Sequence, residues 1–355
     1  MTAPHAPHVA HLPSAGSTAA QLPSAGDADL PSTVGDAAGR TATVRRAARG
    51  RGPVLALLLF ALAAPALLAG CGTGSDREPT IVVTTNILGD LTRNVVGEEA
   101  EVKVLMKPGA DPHSFGVSAR QAAELEQADL VVHNGLGLEE NVQRHVDAAK
   151  ESGVPALAVG EEVDPLPYRS DASKGEPDPH FWTDPVRVAE AVRVLTEEIV
   201  EQVDGVDHKR VRANAAAYGK RVDALQEWTD REFAKIPRER RSLVTNHHVF
   251  GYLAERYDFR VVGAVVPSGT TLASPSAADL KSLADAIDRA GVPAIFVDSG
   301  QPDRLAQVLR DEAELDVRVV PLFTESLTAR GGGAATYLQM ARANAEAISE
   351  GLRRP

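Results

Sequence analysis

The tripeptide Asp-Pro-His occurs twice, in "GADPHSF" with His113 and in "EPDPHFWTDP" with His180. The chain holds 10 histidines in 355 residues, so two with the same approach stand out. Proline ahead of each imidazole restricts the backbone at two positions, which lowers the ordering cost of presenting the ring. An adjacent pair, His247 and His248, closes the run "RSLVTNHH", and Asp298 ends the otherwise apolar run "VPAIFVD". Three imidazole nitrogens and one carboxylate oxygen form a closed donor set that suits Zn(II) in tetrahedral geometry. Asp111 and Asp178 precede the two prolines. Each is placed to accept from the far N–H of an imidazole or to shape a turn. His133, His145 and His208 read as non-ligands within a strand, on a charged helix and at a helix start. There is no HExxH and no CxxC, and "RGGGAA" (Arg330 to Ala335) matches no phosphate-binding pattern.

The elements that must position these residues alternate in type. "TIVVTTNIL", "AEVKVLM", "ADLVVHNG" and "VPALAVG" read as strands, with the helical patterns "SARQAAELEQA" and "GLEENVQRHVDAA" between them. Beyond Pro237 the alternation resumes with strands "RSLVTNH", "RVVGAVV", "VPAIFVDS" and "VRVVPLF". The helix between the second and third of these is capped by Ser276 and stopped by Gly291, and the last helix runs from about Ala334 to Arg353. Such alternation predicts parallel βαβ units, whose ligands bind beyond the carboxyl ends of the strands. His113, His247, His248 and Asp298 all fall at or just after strands, and His180 precedes a helix, so both halves of the chain can face one cleft. Between the halves no strand signal appears. Asp184 and Pro185 open one helix. A second, from about Asp207 to Lys235, carries a thin apolar stripe of Val211, Ala215, Tyr218, Val222, Leu225 and Trp228. A long helix with a narrow stripe suits a spine across two lobes. The expected fold class is α/β, two βα lobes with parallel sheets joined by a long rigid helix that limits motion to small rocking. The expected boundaries are 80–205 for the first lobe, 206–236 for the spine and 237–355 for the second lobe.

The N-terminus reads as a different kind of segment. Residues 1–44 carry no periodic apolar pattern and read as disordered. Arg45, Arg46, Arg49 and Arg51 precede the apolar run "VLALLLFALAAPALLA", which ends in "LAGC" at Cys71. That run is short for a spanning helix and right for a signal-peptide core. Residues 1–70 are therefore expected to be removed, and 71–79 to form a tether. Cys71 is the only cysteine, so an exported domain has no disulfide to rely on. The ending resembles a bacterial lipobox, which implies lipidation of Cys71 and a chain anchored to the cell membrane on its extracytoplasmic side.

Composition narrows the function. With 43% hydrophobic and 24% charged residues the chain is globular, and a net charge of −12 with only 4% aromatics disfavours nucleic acid while being compatible with a cationic ligand.

Six blocks, "TTNILGDLTRNVVG", "VLMKPGADPHSF", "ADLVVHNGLGLE", "DPHFWTDP", "VTNHHVFGYLAERYDF" and "IFVDSG", in this order, resemble the zinc/manganese solute-binding lipoproteins of bacterial ABC importers. The resemblance spans nearly the whole chain after Cys71. It implies a metal receptor rather than an enzyme, with ligands His113, His180, His247 and Asp298, and with Asp111, Asp178 and His248 outside them. A histidine at the third position favours Zn(II) as the transported ligand, with Mn(II) the alternative. The implied partners are an ABC permease and its ATPase, the membrane through the lipid on Cys71, and a metallochaperone that loads the site; the receptor itself is expected to be a monomer. A membrane-anchored zinc hydrolase or an adhesin is the competing reading; four protein ligands leave a hydrolase little room for its water. Binding is expected to weaken as pH falls through the histidine range near 6.5. The sequence departs from the family at His248, where Asp is usual, at Gly116-Val117, where Glu-Pro is common, and in "EEVDPLPYRSDASKGEPDP", which lacks the histidines of many zinc members.

Overall fold

The computed structural model describes residues 77–170 and 173–353. Cys71 and the signal-peptide reading of residues 1–70 lie outside them. Strands β1 (Thr80–Val83), β2 (Glu101–Val104), β3 (Leu130–His133) and β4 (Ala156–Ala158) form one sheet in the order β2-β1-β3-β4, every pair parallel. Strands β5 (Ser242–Thr245), β6 (Arg260–Ala264), β7 (Ala294–Asp298) and β8 (Arg318–Leu322) form a second parallel sheet in the order β6-β5-β7-β8. The inner strands β1, β3, β5 and β7 are buried along their whole length. A parallel strand covered on both faces needs that near-continuous apolar run. The edge strands β2, β6 and β8 are only partly buried, and β8 carries Pro321, which an edge tolerates.

The helices that cross between these strands are α1 (Asn86–Val96), α2 (Ala119–Glu126) and α3 (Glu140–Glu151) in the first lobe, and α6 (Gly251–Tyr257), α7 (Ala277–Ala290) and α8 (Arg304–Glu312) in the second. Between the lobes run α4 (Pro185–Gln202) and α5 (His208–Phe233), and α9 (Tyr337–Arg353) comes last. Asp184 caps α4 by accepting from the Val186 N–H, with Pro185 at the first helical position. Ser276 and Asp279 form a capping box on α7, and Gly291 ends it in the left-handed region. The first strand is shorter than "TIVVTTNIL" predicts. It stops at Val83; the Thr85 hydroxyl accepts the Leu88 N–H and α1 begins. Ile87, Leu88, Leu91 and Val95 then recur at helical spacing and are buried, so the helical period outweighs the strand preference of the β-branched run.

This is the α/β class with two parallel-sheet lobes. The 26-residue α5 carries Val211, Ala215, Tyr218, Val222 and Leu225 into the hydrophobic core of the first lobe and Phe233 into a core of the second. Trp228 packs against both cores, with the Arg342 guanidinium 4.1 Å from its ring centroid. The partition that gives residues 237–355 to the second lobe needs correction. After β8 the chain crosses back: Leu327, Ala334, Tyr337 and Met340 join the first core, while Ala345, Ile348 and Leu352 join the second. The apolar face of α9 is long enough to serve both.

Phe233 is 1% exposed and meets the rings of Tyr257 and Phe259 edge-on, with centroids 4.9 and 5.0 Å away. Phe233→Ala should lower unfolding stability by about 3–5 kcal/mol, read from the denaturant midpoint; a loss under about 1 kcal/mol would show that α5 is not anchored there.

Candidate metal-binding site

His180 is braced before its ring reaches the cleft. Asp178 Oδ1 accepts the His180 backbone N–H at 2.9 Å and lies 2.7 Å from its ring Nδ1. Asp178 is fixed in turn, since its carbonyl accepts the Tyr252 hydroxyl at 2.7 Å. Gly251 permits the approach, because a Cβ there would sit 2.5 Å from Asp178 Oδ2. Asn134 donates to the Pro179 carbonyl at 3.1 Å, and the Tyr168 hydroxyl lies 3.2 Å from Nδ1 while donating to the Gly269 carbonyl. A carboxylate on Nδ1 places the proton there and leaves the Nε2 lone pair aimed inward.

His113 sits in the loop after β2. Its N–H donates to Asp111 Oδ1 at 2.9 Å. The other Asp111 oxygen accepts from Thr271 Oγ1 at 2.6 Å and Gln301 Nε2 at 3.1 Å, both in the second lobe. His247 lies two residues past β5 and is 0% exposed, with its carbonyl accepting the Thr245 hydroxyl. The fourth participant follows β8: Glu325 is 2% exposed.

One ligand atom each from His113, His180, His247 and Glu325 fall within 4.8 Å of one another. Nε2 of His113 and His180 are 3.4 Å apart, and Glu325 Oε1 lies 3.0 Å from His247 Nε2 and 3.5 Å from His180 Nε2. Both carboxylate oxygens of Glu325 and both ring nitrogens of His247 are buried without a hydrogen-bond partner. Buried polar atoms are mostly paired, and a cation among these donors would satisfy Glu325 and one ring nitrogen of His247.

Asp298, expected as the fourth ligand, is not in this group. It is the last residue of β7, and its carboxylate accepts the N–H and hydroxyl of Thr324 and the N–H of Gly300. In this group Glu325 stands where Asp298 was expected. His248 also lies outside the group, its backbone N–H donating to the Ser268 carbonyl at 3.0 Å.

A family model described as zinc-uptake complex component A, periplasmic, matches residues 81–351. The chain belongs to this family. It is thus a substrate-binding protein of the metal ABC transporter class, a receptor and not an enzyme. It is 31% identical over 284 residues to the zinc-binding protein TroA of Treponema pallidum (strain Nichols), across 79% of this chain and 91% of TroA. It is 30% identical over 293 residues to the manganese-binding lipoprotein MntA of Halalkalibacterium halodurans, across 81% and 94% of the two chains. The solved periplasmic zinc binding protein TroA from Treponema pallidum superposes with a TM-score of 0.72 at 29% identity, covering 78% of this chain and 100% of that one.

Electrostatics in the receptor follow from burial. Desolvation holds the His113 imidazole down to about 2, with His180 and His247 adding to the effect, and holds His247 down to about 4. Desolvation raises the Glu325 carboxyl to about 8, which His180 partly offsets. At the 3.0 Å contact between His247 and Glu325, burial thus pushes both partners towards their neutral forms. Burial thus pulls both imidazoles below the ordinary histidine range near 6.5.

Glu325 had a usable signal. The rule that polar side chains just past parallel strands face the cleft applies equally to "VRVVPLF", and the next carboxylate after it is Glu325. Among the described residues no helix is long and apolar enough to cross a membrane.

In the metal-free protein, ring resonances of His113 and His247 should show no titration between pH 5 and 8 by NMR. Their depressed folded values mean that the unfolded chain takes up these protons first, so stability falls as pH drops below 6.5. Glu325 has the opposite sign: its contribution is full below 4.5 and is lost as pH rises through about 8. An imidazole at either position titrating near 6.5 would show an open, hydrated site.

Proposed function

We propose that this receptor captures Zn(II) on the extracytoplasmic side of the membrane and hands it to the permease of an ABC importer powered by its ATPase. The ligands are His113, His180, His247 and Glu325. The observation that carries this reading is the convergence of four buried donors within 4.8 Å, two of them with no protein partner. An unpartnered buried polar group costs roughly 1–3 kcal/mol, and a bound cation offsets it. Three imidazoles and one carboxylate favour Zn(II), whose affinity for such sites also exceeds that of Mn(II). The relative named as a zinc-binding protein supports the same choice. Mn(II) is the second reading, favoured by the similarity to a manganese-binding lipoprotein. The "LAGC" ending at Cys71, with relatives named as lipoproteins, supports a lipid anchor.

His113 and His180 come from the first lobe, while His247 and Glu325 follow strands of the second. An ion bound to all four is stabilised only when the donors meet, so metal favours that arrangement. Proton and metal compete for Glu325, and uptake of the ion displaces the carboxyl proton.

In a competition titration the purified protein should bind Zn(II) more tightly than Mn(II); the reverse order would replace Zn(II) by Mn(II) as cargo. Glu325→Ala should lose more affinity than the roughly 100-fold that outer hydrogen-bond partners of a metal site are worth. Wild-type affinity in that variant would remove Glu325 from the ligand set.

A further inference from the structure

We infer that Asp298 is a positioning residue that aims Glu325 at the ion through Thr324; the inference rests on the ligand set proposed above. Asp298 is 5% exposed, and its oxygens are committed: Oδ1 accepts the Gly300 N–H at 2.7 Å, while Oδ2 accepts the Thr324 N–H at 3.0 Å and also the Thr324 hydroxyl. An ionised carboxylate has about four lone-pair sites, so three donors leave little for a metal. The remaining polar group of Thr324, its carbonyl, accepts the Trp182 indole N–H at 2.8 Å. Residue 324 is thus held by Asp298 from the second lobe and by Trp182 from the turn beside His180.

The residues after Glu325 are held as well. Asn86 Nδ2 donates to Ser326 Oγ at 2.7 Å, and the Leu327 N–H donates to Asn86 Oδ1 at 2.8 Å. The Leu327 carbonyl accepts the Gly109 N–H at 3.0 Å. Glu325 therefore stands between two clamped neighbours, while its own carboxylate has no partner to steady it. A side chain in that condition takes its place from its backbone. Asp298 and Asn86 fix that backbone from opposite sides, and removing the Asp298 clamp frees the peptide that immediately precedes the ligand.

The experiment is Zn(II) competition titration, with the visible absorption of bound Co(II) as a geometric readout, on the full chain and on Asp298→Ala, Asp298→Asn, Thr324→Val, Glu325→Ala and the double variant Asp298→Ala/Glu325→Ala. Asp298→Ala and Asp298→Asn should each lose ~10–100-fold in affinity, the range for outer partners of metal ligands. Thr324→Val keeps the Asp298 side chain and should move affinity and the Co(II) spectrum in the same direction. In the Glu325→Ala background, Asp298→Ala should cost nothing further, because there is no longer a carboxylate to aim. An equal loss in that background would overturn the inference and make Asp298 act on the ion itself. Unchanged affinity in Asp298→Asn and Thr324→Val, alongside a loss in Glu325→Ala, would also overturn it while leaving the ligand set standing. Unchanged affinity in Glu325→Ala would overturn the ligand set and this inference together.

Discussion

A carboxylate buried among three imidazoles with no donor to satisfy it is the constraint on which the rest of this molecule depends. Glu325 and His247 together leave four polar atoms unpaired in the interior. No protein hydrogen bond satisfies them there, and burial pushes the imidazoles of His113 and His247 and the carboxyl of Glu325 towards their neutral forms. The donors must nevertheless stay together, so each is held from behind. Asp178 braces His180, Asp111 braces the His113 loop, and the backbone around Glu325 is tied at Thr324 and Leu327. The free energy for this comes from elsewhere, from fully buried parallel strands and from the cores that α5 and α9 share.

The bracing contacts also explain why the site lies between lobes rather than in one. Asp111 belongs to the first lobe, yet its second oxygen bonds Thr271 and Gln301 of the other. Asn86 opens α1, yet it holds Ser326 and Leu327 after β8. Trp182 stands beside His180 and holds Thr324. Each histidine of the first lobe is thereby close to a contact that reaches across, and the cleft is walled by side chains whose partners sit on its far side.

Much of this was legible in the residues. The alternating strands and helices, the caps at Asp184 and Ser276, and the thin stripe on α5 follow from local propensity and period, which act over a few residues. The three histidines were legible because proline stiffens two of them and the third lies just past a strand. The choice between Asp298 and Glu325 was not, because the two carboxylates lie at the exits of adjacent strands. β7 and β8 pair Asp298 with Leu322, so Thr324 falls two residues beyond that pair, within reach of Asp298, and Glu325 goes on into the cleft. Only the register decides which of them meets the imidazoles. The return of the chain to the first lobe after β8 was hidden for a similar reason. The apolar pattern of α9 shows that a face is buried but not that two cores share it.

That return gives the two lobes a second covalent crossing. With α5 alone, the lobes could pivot about a point. The segment from Thr324 to Tyr337 makes another strut, tied at Asn86 and, through the Tyr337 N–H, at Asp90. α9, whose apolar face serves both cores, then makes a third, so pivot, swivel and shear would each have to bend a strut. Glu325 is thus carried on a segment that both lobes hold in place.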